Sequence, residues 1–163
     1  EDRTQPAQGI LIAESGTALR SIGTALVRAG VDQRQTRFMG TSVWAGDAQR
    51  EPTLAGGWYV SPDPSSRTSF EGRYQTTFGE QPTRLASLGY DAVALAALLS
   101  RQAGPRGLTR SRLENGEGFS GSDGLFRFRS NGAIERGLAV IEVRQNEVGI
   151  LEAAPQQFPR SGT

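Results

Sequence analysis

Residues 9–30 read GILIAESGTALRSIGTALVRAG: a short apolar run, a polar loop, then a helix-length segment closed by glycine. The uninterrupted run Gly9–Ala13 has the pattern of a strand buried on both faces. In the segment after it, Ala18, Ile22, Ala25, Leu26 and Ala29 recur at helical spacing, Ser15 or Thr17 offers an N-cap, and Gly30 offers a stop. Two more short strands follow, TRFMGT (36–41), reached through VDQRQ, and GGWYVSP (56–62), which Pro62 and Pro64 end. Strands alternating with helices place the chain in the α/β class, with a parallel sheet carrying helices on its faces.

Beyond the prolines, Phe70, Tyr74 and Phe78 stand four apart, an aromatic stripe on a helix that stops at Gly79. The segment TRLASLGYDAVALAALLSRQAG (83–104) predicts a longer helix with Leu85, Leu88, Ala92, Leu95 and Leu99 on one face. Ala86, Val93, Ala96 and Ala97 spread apolarity around the rest, so the helix expects burial on several sides. The stretch GPRGLTRSRLENGEG reads as a solvated loop with a short helix, its arginines offset by Glu114 and Glu117. GLFRFR, GLAVIEVR and VGILEA, separated by the turns SNG and QNE, read as an antiparallel β-meander, and PQQFPRSGT as a frayed tail. The glycines at 118, 121, 124, 132 and 137 are the turn chemistry of that meander. A phosphate-cradling glycine loop leads from a strand into a helix, and here strands follow the glycines.

Composition then removes most chemistry. The 163 residues contain no His and no Cys, and all 18 basic residues are Arg. Missing with them are the commonest general base, thiol nucleophiles, Schiff-base amines, His/Cys metal sites and a P-loop lysine. A net charge of +1 supplies no general attraction to nucleic acid or membranes, and no apolar run approaches the roughly 18 residues of a span. No catalytic residue, metal or cofactor is therefore expected, and no nucleic-acid partner.

In open parallel sheets, ligands bind beyond the carboxyl ends of the strands. Those loops are Glu14–Thr17, Thr41–Asp47 and Ser61–Pro64. The candidate ligand-binding residues are accordingly Glu14, Ser15, Gly16, Thr17, Thr41, Ser42, Trp44 and Asp63. Helix capping is the competing role for Ser15 and Thr17, and core packing the competing role for Trp44. Glu14, Asp47 and Asp63 would make a carboxylate enzyme if they converged at one mouth. A serine nucleophile elbow is absent, because ESGTA lacks the Gly-x-Ser-x-Gly frame.

The order of these pieces, from SGTALRSIGTALVRAGV through RFMGT and GGWYVSP to the terminal strands, resembles the C-terminal half of type I periplasmic binding proteins, the class of the branched-chain amino-acid receptors. Within that class, RLASLGYDA (84–92) together with GFSGSDGLFRF and NGAIERGLAVIEV is most similar to the penicillin-binding-protein activator lipoproteins. The resemblance covers residues 8–152. It implies a doubly wound parallel sheet of one lobe plus the terminal meander, with residues 9–61 in the second lobe, 62–152 crossing the hinge, and 153–163 a flexible tail. It also implies a missing first lobe, a periplasmic location with a lipid anchor through a missing N-terminus, and a ligand cleft between lobes. Amino-acid receptors of the class hold the ligand's ammonium with an acidic group in the loop after RFMGT, where this chain has Thr41, Ser42, Val43 and Trp44. The implied function is thus a non-enzymatic module that binds a penicillin-binding protein, a peptidoglycan synthase; the alternative is an ABC-transporter receptor for amino acids or another small polar solute. If no first lobe covers it, the 83–102 helix is expected to drive self-association.

Overall fold

A computed structural model describes residues 7–83 and 85–159; Arg84 of the RLASLGYDA motif and both chain ends of the sequence reading lie outside them. The chain divides into two compact units, 1–61 with 139–153, and 62–138 with 154–163.

The first unit is a five-stranded sheet in the order β1 (Gly9–Ile12), β2 (Arg37–Gly40), β3 (Trp58–Ser61), β7 (Ala139–Arg144), β8 (Glu147–Glu152). β1–β2 and β2–β3 are parallel, and β7 joins β3 antiparallel with Tyr59 opposite Ile141. Side chains alternate across the sheet. One face carries Ile12, Phe38, Tyr59, Ile141 and Val143, all at most 4% exposed. Leu11, Met39 and Val60 point the other way and are 63%, 38% and 38% exposed. This corrects the expectation of a first strand buried on both faces: β1 is an edge strand with a single buried face. Helix α1 (Gly16–Arg28) ends in a Schellman arrangement, with Gly30 at φ +86° donating to the Val27 carbonyl and Val31 to that of Leu26. Its buried line is Leu19 and Gly23, because Gly23 lets the helix sit against Leu54; the expected line through Ala18, Ile22 and Ala25 is exposed.

The second unit holds α2 (Pro64–Phe78), α3 (Ala86–Ala103), α4 (Arg110–Leu113) and a sheet ordered β4 (Phe119–Gly121), β5 (Gly124–Phe128), β6 (Ile134–Arg136). Asp63 caps α2, Pro64 opens its first turn, and Gly79 at φ +76° closes it. On α3, Leu99 is buried as expected, but Leu85 and Leu88 are 71% and 40% exposed. The buried line is instead Ser87, Asp91, Leu95 and Leu99. Leu95 and Leu99 pack with Phe126 in the core. Ser87 and Asp91 are tied to the 121–124 turn: the Ser87 hydroxyl donates to Asp123 Oδ2 at 2.6 Å, and Ser122 donates its amide and hydroxyl to Asp91 Oδ1, both at 2.8 Å.

Two corrections concern the chain's end. The expected single meander is divided: β4–β6 form a sheet of the second unit, while the β7–β8 hairpin completes the sheet of the first. The alternation Ala139, Ile141, Val143 matches the buried face of β3, and that burial draws β7 there. Nor is the tail frayed over its described length. Phe158 is 7% exposed, with the Arg127 guanidinium 4.3 Å from its ring centre.

On the β5–β6 edge, Glu135 accepts from Arg127 Nε at 2.8 Å and pairs with Arg129. The Arg127 hydrogen bond holds its carboxyl below the ordinary glutamate range, against an upward push from burial, and the Arg127 and Arg129 charges add to the lowering. A depressed folded pKa means stability that is full above the unfolded value and is lost as pH falls through the folded one. Arg127→Ala should therefore move the Glu135 midpoint up toward the ordinary glutamate range in a carboxyl carbon NMR titration, and an unmoved midpoint would refute the pairing.

Candidate functional site

The loops at the carboxyl ends of β1 and β2 lie together in the first unit. Glu14, Ser15 and Thr17 are exposed, and Thr41 and Ser42 half-buried. Ser15 stands at the N-cap of α1 with extended backbone, yet its hydroxyl makes no capping bond. Gly16, at φ +54°, donates its amide to Asp47 Oδ2 at 3.1 Å, which ties the two loops to each other. A carboxylate at a helix N-terminus is favourable, so Asp47 holds the place that a ligand's anionic group would seek there. Below the loops, the Glu51 carboxylate is 8% exposed and receives Arg20 Nε and Nη2, each at 2.7 Å.

Trp44 does not face a ligand. Its side chain is fully buried, its indole N–H donates to the Ile12 carbonyl at 2.9 Å, and its ring lies over Gly40 and Gly57. The packing role wins because a residue with a Cβ at Gly40 would collide with the indole. Asp63 belongs to the second unit, where its Oδ1 accepts from the Ser65 amide and hydroxyl at 2.9 and 2.7 Å. The structure thus brings Glu14–Thr17 and Thr41–Ser42 together in one unit, and gives Trp44 and Asp63 structural work.

Asp47, named from the sequence only among the carboxylates of a possible enzyme, is the residue that ties the two loops together. Its one signal is a carboxylate after Gly46 in a loop following a strand, which does not say that its partner is a backbone amide 31 positions earlier. A cavity of about 690 Å³ in this unit lies at the other end of the sheet, beside Val31, Arg34, Arg37 and Thr53. Among the described residues, no group of three or more acidic side chains is placed to hold a metal ion.

This architecture has known counterparts, and the sequence pattern of the periplasmic binding proteins matches residues 3–147. The chain belongs to the periplasmic binding protein family. Its fold is the type I form, a mostly parallel mixed sheet with an accompanying antiparallel sheet. A protein from Rhodospirillum rubrum assigned to a branched-chain amino acid ABC transporter superposes with a TM-score of 0.70 at 22% identity, over 88% of this chain and 44% of its own. A branched-chain amino acid ABC transporter periplasmic ligand-binding protein from Burkholderia xenovorans gives 0.65 at 15% identity, over 92% and 45%. LpoA of Haemophilus influenzae gives 0.51 at 14% identity, over 88% and 26%. At these identities the likeness is one of fold. The chain spans less than half the length of each of these proteins. None of the curated proteins compared with the chain is a significant match.

Proposed function

We propose that this chain is a non-enzymatic binding module of a periplasmic protein that acts like the penicillin-binding-protein activators, engaging a peptidoglycan synthase rather than carrying a solute. Residues 9–61 would then supply second-lobe β/α units and 62–152 the hinge-crossing helices and terminal strands, in a protein lipid-anchored to the membrane. The observation that carries this reading is the Gly16–Asp47 bond. An amino-acid ligand needs donors for its carboxylate and an acidic partner for its ammonium. Here the first amide of α1 is engaged by Asp47, the one acid of the loop after β2, and that loop opens with Thr41 and Ser42 where the receptors have an acid. A protein surface makes neither demand.

The solute-receptor reading is favoured by Glu14, Ser15 and Thr17, exposed beside the carboxyl end of β1. Both readings meet in one experiment on the full-length protein. Surface-immobilised bifunctional peptidoglycan synthase should bind it, while a panel of amino acids leaves its melting unchanged. A solute receptor would instead be stabilised by about 2.7 kcal/mol at a ligand concentration of 100 Kd, and that shift without synthase binding would reverse the proposal.

A further inference from the structure

The second unit contains a hollow of about 350 Å³ where α2, α3 and the β4–β5 turn meet. Its size is within the range of small-molecule sites, about 300–1,000 Å³. The lining has an unusual chemistry for a packing defect. Ser66, half-buried, and Ser69 and Ser120, both exposed, line it, and among the described residues none of the three has a side-chain hydrogen bond. Tyr90 is 47% exposed and braced by Phe70, whose ring centre is 5.2 Å away. Arg73 is held at the rim, 5.6 Å from the Tyr90 ring centre. Asp91 is only 4% exposed, and while its Oδ1 receives Ser122, its Oδ2 is buried without a partner. Gly121 lies against that oxygen, where any Cβ would collide with it.

We propose that this hollow binds a pyranose ring of a neutral oligosaccharide. A serine hydroxyl both donates and accepts, so three of them suit a ligand that is itself a set of hydroxyls. The half-exposed Tyr90 ring, flanked by Phe70 and with the Arg73 guanidinium over it, offers an electron-rich, amphipathic surface to the C–H groups of a sugar ring. Asp91 and Arg73 offset each other, which selects against a strongly charged ligand, and the unmet Asp91 Oδ2 calls for a hydroxyl donor. The hollow shares Asp91, Ala94, Ser120 and Gly121 with a larger groove of about 680 Å³ along α3, which lies next to it and would take further sugar units. Gln102, Arg112 and Asn115 line that groove and supply amide and guanidinium groups to them.

The site does not depend on the synthase proposal, and its test is separate. The full chain is titrated with N,N′,N″-triacetylchitotriose and, in a second arm, cellotriose, and binding is followed by calorimetry and by backbone NMR of Ser120–Ser122. Saturable binding of either sugar with shifts at those amides is expected, the better sugar showing whether the acetamido group is read. The Ser66→Ala/Ser69→Ala double variant should weaken binding by about 10-fold, equivalent to about 1.4 kcal/mol, with an unchanged melting temperature, and Tyr90→Ala by at least as much. Absence of binding by both sugars at about 10 mM, or equal affinity in the serine double variant, overturns the proposal.

Discussion

Trp44→Ala is expected to destabilise the first unit by about 3–5 kcal/mol, the range for removing a large buried aromatic side chain. The indole is the largest of the side chains that are fully buried, and the ring covers two glycines, Gly40 and Gly57, that have no side chain with which to fill the space it leaves. The substitution also strands the Ile12 carbonyl, whose donor is the indole N–H at 2.9 Å, for about 1–3 kcal/mol more if no water replaces it. Against a total stability of about 5–15 kcal/mol, a loss of that size is visible as a large drop in the urea midpoint. Trp44→Phe keeps one six-membered ring but loses the N–H and part of the indole's volume, so it should cost less than Trp44→Ala and more than nothing. A Trp44→Ala unfolding free energy within about 1 kcal/mol of the parent would mean that the ring is not the keystone of this core.

The second large effect is expected at Gly118. Its φ is +77°, and a Cβ there would stand 2.6 Å from the Phe126 carbonyl oxygen and 2.9–3.0 Å from the Phe158 ring. Alanine meets a left-handed backbone penalty of about 1–2 kcal/mol and a steric conflict of about 1–3 kcal/mol, with a backbone atom as the unyielding partner. Gly79 is the control. It has φ +76° with open space around its Cβ position, so Gly79→Ala carries the backbone penalty alone. Equal losses from the two substitutions, measured by chemical denaturation, would remove the Phe126 and Phe158 contacts from the account.

The succession of strands and helices was legible because its signals are local. GILI alternates with a capped segment, Pro62 and Pro64 stop β3 and open α2, and Gly79 stops α2. Which side of a helix is buried was not local. On α3 the leucines and alanines surround the axis, and the choice falls to Ser87 and Asp91, whose partners Asp123 and Ser122 lie 36 and 31 positions away. Nothing near residue 87 announces a partner at 123. The same holds for the terminal strands, where the turn residues are plain but the choice of sheet depends on the matching faces of β3 and β7.

Of the candidate site, the loops were legible and the roles were not. Glu14–Thr17 and Thr41–Ser42 lie at the carboxyl ends of parallel strands in the first unit, and the Gly16–Asp47 bond joins their two loops. Trp44 in the same loop has the composition of a binding residue and the environment of a core residue, decided by two glycines, one before it and one after it. Asp63 followed by a proline is a capping signal, and capping is its observed role.

Both tryptophans of the chain, Trp44 and Trp58, fall in the first unit, and the second has none. The molecule thus carries a built-in optical division of labour. Indole emission follows the melting of one unit, in which Trp44 starts from a dry site and should shift strongly to the red on unfolding. Tyr74 and Tyr90 report on the other, while the emission of Tyr59, the one tyrosine of the first unit, passes to Trp44 6.3 Å away as long as that unit is folded. A denaturation curve recorded at the two sets of wavelengths can therefore tell whether these units melt as one cooperative body or as two, without any label.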